Sequence, residues 1–211
     1  MTQITPPTIR QDLQLIANMV QPGSRVLDIG CGDGALLAHL AETRNVDARG
    51  LELGQSNVNQ CVGRGLSVVQ GDADTDLADY PTAAFDHVIL SQTLQAVHRP
   101  AHVLDEMLRI GRSAIVSFPN FGHWRVRWQL LSAGRMPVTG TLARPWYDTP
   151  NIHLCTIKDF AALAQDRHIK IEEAVTLNAA SRPRALSGLS PLALRHANLF
   201  AAEAIFKLRR S

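Results

Sequence analysis

The sequence predicts an α/β fold on a mostly parallel sheet, and three observations carry that expectation. Short apolar runs alternate with amphipathic helical stretches, the order that successive βα units require. One run, Val26, Leu27 and Ile29, stops at closely spaced glycines, after which Ala35, Leu36, Leu37, Leu40 and Ala41 begin a helical apolar face. Acids stand at the ends of three consecutive strands: Asp28, Glu52 and Asp72.

In chain order, residues 1–8 are expected to fray. Ile9, Leu13, Ile16, Ala17 and Val20 then share one helical face until Pro22 and Gly23 end it. Arg25 to Gly34 reads as strand, tight loop and helix start. Gly30, Gly32 and Gly34 fall at alternate positions, where positive φ or the close approach of another molecule is open to the backbone. The spacing departs from the dinucleotide fingerprint and no Walker lysine follows, so a phosphate ligand is not indicated. Asp28, just before the loop, suits a cation or an amine. Val46 to Leu53 forms a second strand ending on Glu52, which a parallel sheet would set beside the glycine loop, able to accept from both hydroxyls of a ribose.

Gln55 or Ser56 starts a helix with Val58, Cys61 and Val62 on its face, ended by Gly63 and Gly65. Leu66 to Gln70 is the third strand. Gly71 to Pro81 is a polar loop in which Asp74, Asp76 and Asp79 read as a solvated face, Asp72 being the strand-end acid. Phe85 to Leu90 fits a central strand buried on both faces, followed by the loop residues Ser91, Gln92 and Thr93. His98, Arg99 and Pro100 restart a helix with Val103, Leu104, Met107 and Leu108 inward, and Ser113 to Phe118 is the fifth strand.

Phe121 to Ala133, read as a helix, sets Trp124, Trp128 and Leu131 on one face. Core packing, a partner surface anchored by tryptophans and an RNA-stacking surface are the three readings of that face. Gly134 to His153 carries Pro137, Gly140, Pro145 and Pro150 and is a long loop: a lid over a ligand, a docking surface or a plain connection. Thr156 resembles an N-cap for a helix with Phe160, Leu163 and Ala164 on its face. Ile169 to Leu177 and Leu199 to Leu208 read as the last two strands, joined by a mobile linker, Asn178 to Asn198.

Composition narrows the function. A chain of 211 residues with 45% hydrophobic content fits one domain with a two-sided core. A net charge of +2 gives no field for duplex binding. Cys31, Cys61 and Cys155 are odd in number and widely spaced, which indicates neither a disulfide framework nor a zinc site and fits a reducing compartment. No apolar segment reaches the length of a membrane span, and Pro6 and Pro7 stand where a signal peptide would carry its apolar core. A cytoplasmic protein is expected.

Asp28-Ile-Gly-Cys-Gly-Asp-Gly34, Glu52, Gly71-Asp72-Ala73 and Phe85-Asp-His-Val-Ile-Leu90 resemble motifs I to IV of the class I S-adenosylmethionine-dependent methyltransferases. A closer resemblance is to the methionine-biosynthesis MetW family, a branch of that superfamily. It rests on Leu94-Gln-Ala-Val97, Val103-Leu-Asp-Glu-Met-Leu-Arg-Ile-Gly111, Phe118-Pro-Asn-Phe-Gly-His-Trp-Arg125, Gly134-Arg-Met-Pro137 and Trp146-Tyr-Asp-Thr-Pro-Asn-Ile-His153. These blocks are long and rich in rare residues, and together the motifs span most of the chain.

The resemblance implies a single Rossmann-like methyltransferase domain over residues 1–211. Its sheet would have seven strands, mostly parallel, with helices on both faces, an antiparallel last strand and an inserted helix and loop at 121–153. The implied ligand is S-adenosylmethionine or S-adenosylhomocysteine, without a metal. Carried over by motif, the cofactor-binding residues are Asp28, Gly30, Cys31, Gly32, Gly34, Glu52, Leu53, Asp72, Ala73, Ser91 and Gln92. The glycine loop would meet the amino acid portion, Glu52 the ribose, and Asp72 with the Ala73 amide the adenine. Asp28 would support the loop or the ligand's ammonium.

The family is understood to act with homoserine O-acyltransferase, which implies that enzyme as the partner and an accessory or regulatory role, with neither nucleic acid nor membrane involved. The alternative is a small-molecule methyltransferase. A sulfonium is already an activated donor, so alignment of an acceptor suffices and no obligatory catalytic motif exists. His98, His123, Tyr147 and His153 are candidates for proton removal, and none is named catalytic.

Overall fold

The computed structural model describes residues 9–186 and 188–210; the expectation for residues 1–8 lies outside them. Helix α1 (Gln11–Met19) buries Leu13, Ile16 and Ala17 along the expected face. It leads into β1 (Arg25–Ile29), α2 (Ala35–Arg44), β2 (Asp47–Glu52), α3 (Gln55–Gly63), β3 (Ser67–Gln70) and a short 3-10 turn, Asp76–Asp79. Then come β4 (Phe85–Ser91), α4 (Pro100–Ile110), β5 (Gly111–Pro119), α5 (Trp124–Ala133), α6 (Ile157–Asp166), β6 (Ile169–Leu177), β7 (Pro183–Ala185), α7 (Pro191–Phe200) and β8 (Glu203–Arg210).

One sheet has the order β3-β2-β1-β4-β5-β8-β6-β7. The first five strands are mutually parallel, and β8 enters antiparallel between β5 and β6. The chain moves outward from β1 to β3 and returns to lay β4 against the other side of β1, with Asp28 level with Gly50 on one neighbour and Ile89 on the other. That reversal opens a crevice at the carboxyl ends of β1 and β4, where α/β sheets bind ligands.

Both faces of the sheet are covered. Leu27, Val88, Leu104, Met107, Phe118 and Phe206 pack on one side, and Ile16, Leu40, Ile89, Ile115 and Ile205 on the other. Alternating residues of β4 and β5 serve opposite faces, which is why these strands read as continuous apolar runs.

The sheet has eight strands where seven were expected. The eighth, β7, is a three-residue exposed edge segment paired antiparallel with the end of β6. The stretch 178–198, expected as a mobile linker, instead contains β7 and most of α7. Helix α7 has Pro191 in its first turn and is capped by the Ser190 hydroxyl, which accepts from the Ala193 amide at 3.3 Å. The last strand accordingly begins at Glu203 and not at Leu199, because Leu199 and Phe200 still belong to the helix. Thr156 caps α6 as expected, in a reciprocal pair with Asp159. Helix α5 starts later than expected, at Trp124, with His123 accepting from the Arg125 amide.

Candidate functional site

The crevice is a cavity of about 360 Å³ at the carboxyl ends of β1, β2 and β4. Its floor is the glycine loop. Gly30 has φ +69°, and a Cβ there would stand 2.7 Å from the Thr93 hydroxyl oxygen, so only glycine fits between the two loops. Gly32 also has positive φ, yet nothing lies within 4 Å of where its Cβ would be. Its backbone is therefore approachable, and its amide donates to Glu52 Oε2 at 2.9 Å.

Glu52 ends β2 as a fixed acceptor. Oε1 accepts from the Gly54 amide at 2.9 Å and from Asn57 Nδ2 at 3.2 Å. These bonds hold the carboxylate in one orientation against the loop while leaving lone pairs free, since each carboxylate oxygen accepts more than once.

Six of the residues expected at the site line this cavity: Gly30, Glu52, Leu53, Asp72, Ala73 and Gln92. The others do not border it. Asp28 is only 3% exposed, beneath the loop, and its Oδ1 has no hydrogen-bond partner. Burial first, then the negative charge of Glu52, push its carboxyl up to about 8. Cys31 is buried, and burial pushes its thiol far above the ordinary range, which leaves no thiolate nucleophile at neutral pH. Gly34, with φ +76°, turns the chain into α2 under Leu66. The Ser91 hydroxyl bonds that of Ser117 on β5 at 3.2 Å.

Asp74 and Asp76 are not the solvated face they were expected to be. Asp74 accepts from the amides of His98 and Arg99, both at 2.8 Å, and pairs with the His98 ring at 3.2 Å. Burial works to raise its pKa, but these bonds outweigh it and hold the group below the usual carboxylate range. Asp76 accepts from the Asp72 amide at 2.8 Å and the Thr75 hydroxyl at 2.7 Å, and those bonds, the hydroxyl's first, hold it low as well. Asp72 in turn accepts from the Asp74 amide at 2.9 Å. The acidic run is thus a self-bonded loop that ties β3 to the segment before α4, with Asp74 and His98 also bordering the cleft. Asp79 alone of the three matches the expectation by being exposed.

Thr93 and Pro150 line the cavity too, although neither was among the residues carried over by motif. Thr93 follows Ser91 and Gln92 in the loop after β4, and Pro150 belongs to the long loop for which a lid over a ligand was one of the readings.

That loop encloses a second cavity of about 350 Å³ with Phe121, Leu142, Arg144 and Trp146 among its walls, and it shares Gln92 and Pro150 with the first. Gln92, at φ +57°, stands between the two, its side-chain amide donating to Glu203 at 2.5 Å and its backbone amide to the Ser117 carbonyl at 2.9 Å. The loop is pinned by the Ile152 and His153 amides, which donate to the Gln95 carbonyl at 2.8 and 3.0 Å. Within the loop, Trp146 and Tyr147 are 70% and 75% exposed. On α5 only Val126 is buried, while Trp124, Trp128 and Leu131 are 44%, 63% and 81% exposed. Core packing is therefore the wrong reading of that face.

Among the described residues no cluster of His, Cys, Asp and Glu is arranged to hold a metal, and no helix is long and apolar enough to cross a membrane.

The fold is shared with many solved structures. A possible histamine N-methyltransferase from Thermotoga maritima superposes with a TM-score of 0.67 at 16% identity, covering 95% of this chain and 88% of that one. The [4+2]-cyclase SpnF superposes at 0.66 and 19% identity, covering 95% and 80%. At such identities the likeness is one of fold. In sequence, the bifunctional methionine biosynthesis protein MetXA/MetW of Rhodopirellula baltica is 36% identical over 177 residues, 80% of this chain. The chain spans 28% of that relative's length. The family described as methionine biosynthesis protein MetW matches residues 10–208, nearly the whole sequence, and the chain belongs to that family.

Proposed function

We propose that this chain is an S-adenosylmethionine-binding accessory subunit of homoserine O-acyltransferase, docking through α5 and the loop that follows it. One observation carries the docking: ten of the sixteen exposed large apolar side chains among the described residues lie between Trp124 and Leu154. Trp124 and Trp128 border neither the cleft nor the loop cavity. Exposed tryptophans concentrated on one segment are the anchors that protein interfaces use. The bifunctional relative supports the same reading, since its name joins MetXA and MetW in one polypeptide.

The cleft fits the nucleoside. Glu52, already oriented by Gly32, Gly54 and Asn57, would accept from the ribose hydroxyls; Asp72 and the Ala73 amide would meet adenine. Asp28, with one oxygen unpartnered beneath the glycine loop, would supply the negative charge that an ammonium requires. The ligand's own contribution is an activated methyl group. The chain's residues bind and orient it, and a ligand that alters the acyltransferase does so only by binding its two states unequally. Such a link would let the product of the pathway adjust its committed step.

The second reading, a small-molecule methyltransferase, is favoured by the loop cavity adjoining the cleft at Gln92 and Pro150. Co-purification with homoserine O-acyltransferase decides between them. Stable association that Trp128→Asp abolishes supports the accessory role; no association, together with methylation of a small acceptor, supports the second.

A further inference from the structure

A third cavity lies away from the cleft, between the end of β6, the first turn of α5 and the start of β8, and encloses about 190 Å³. At ~30 Å³ per water it has room for about six waters, or a metabolite of roughly ten non-hydrogen atoms. Its walls carry opposite charges. Glu203 is 8% exposed, and among the described residues its side chain makes one hydrogen bond, with Gln92 donating to Oε1. The other carboxylate oxygen has no hydrogen-bond partner among the described residues. Burial and then Asp12, which is paired with Arg10 at 2.6 Å, push the Glu203 carboxyl up to about 7. Asp12 and Arg10 lie outside the cavity, and Glu203 is the one carboxylate among its lining residues.

The lining also carries Arg125 and His123. Arg125 is exposed in the first turn of α5, with no carboxylate partner among the described residues and its guanidinium 5.4 Å from the Trp124 ring centroid. His123 is 6% exposed; its Nδ1 accepts from the Arg125 amide at 3.3 Å. Burial and the adjacent Arg125 hold its pKa below the ordinary value. The neutral ring therefore carries its proton on Nε2, a donor with no partner among the described residues. Thr139 and Asn178 complete a polar rim over Leu177.

We infer that this cavity is a binding site for a small zwitterionic amino acid, with its ammonium on Glu203 and its carboxylate on Arg125 and His123. A monocarboxylate alone would leave the Glu203 wall uncompensated, and an amine alone would leave Arg125 so. The site is independent of the nucleoside cleft, although Glu203 reaches the cleft through Gln92.

Calorimetry on the full chain tests it. S-adenosylhomocysteine is titrated first, so that failure of the cleft reading is seen separately, and amino acids are then added with and without it. L-Serine, L-homoserine and L-methionine are the zwitterions; N-acetyl-L-methionine lacks the ammonium and L-methioninamide the carboxylate. At least one zwitterion is expected to bind with the cleft saturated, and each charge deletion to weaken it tenfold or more. Glu203→Gln should erase the preference over the N-acetyl compound. Arg125→Ala, at an exposed position that leaves the fold intact, should erase the preference over the amide. No saturable binding by any zwitterion up to about 10 mM, ten times a 1 mM Kd, would overturn the assignment. So would a preference that survives in either variant.

Discussion

The cleft and the α5–loop segment lie at the same end of the sheet and are built on opposite principles. In the cleft, backbone amides and carboxylates do the holding: Gly32, Gly54 and Asn57 on Glu52, and His98 and Arg99 on Asp74. Across Gln92, the segment from Trp124 to Leu154 turns its aromatics and aliphatics outward and buries little beyond Val126, Pro137 and Leu142. A rigid polar pocket recognises a small molecule; an apolar surface without a cover recognises a protein. The contrast predicts that each region can be disabled without the other.

The largest effect is expected in the glycine loop. Gly30→Ala forces a strained φ and drives a methyl into Thr93, which should cost about 1–3 kcal/mol of stability and weaken S-adenosylhomocysteine binding at least 100-fold. Calorimetry should register that loss while acyltransferase capture at low temperature persists. Glu52→Gln should follow, at about 1.5–3 kcal/mol or 10-fold to 100-fold in ligand affinity, since a charged acceptor is lost to the loop and to the ribose.

Trp128→Ala should do the converse. Its side chain touches no core, so melting should shift by less than about 2 °C, whereas partner affinity should fall by about 2 kcal/mol, near 30-fold. An equal loss of nucleoside binding would erase the distinction between the two regions.

Asp28 supplies a smaller, pH-dependent effect. Its folded pKa of about 8 lies above the unfolded value of 3.8. The stability it contributes is therefore complete below about 4 and is lost as pH rises through about 8. Asp28→Asn should remove that loss, so the ligand-free variant should melt higher than the parent at pH 8. An ammonium favours the ionised carboxylate, so S-adenosylhomocysteine affinity should rise from pH 6 to 7.5, by up to about tenfold per unit, and Asp28→Asn should flatten that slope. An unchanged slope would remove Asp28 from the ligand's environment.

Much of the cleft was legible because its signals are local. Three glycines after an apolar run specify a loop at positive φ, and an acid closing the next strand must land beside it. Asp74 was misread because its partners, the His98 and Arg99 amides, are distant in sequence and charge runs carry no record of what approaches them. Helix α7 did leave a trace, Ser190 followed by Pro191, but only Ala197 and Asn198 are buried there, so the segment offers few core positions by which to read it. Glu203 was invisible: a glutamate opening a strand gives no sign that the fold will enclose it. The aromatic face of α5 was legible as a helix, with a partner surface as one of three readings, but periodicity shows that residues share a side and not what covers that side, so the sequence could not choose between surface and core.

The most direct test of the accessory role is the rate of homoserine O-acyltransferase titrated with this chain, with and without saturating S-adenosylmethionine. The proposed function predicts a saturable rise in rate that depends on the nucleoside and is absent with Trp128→Asp. A rate that is the same with and without the chain would contradict it.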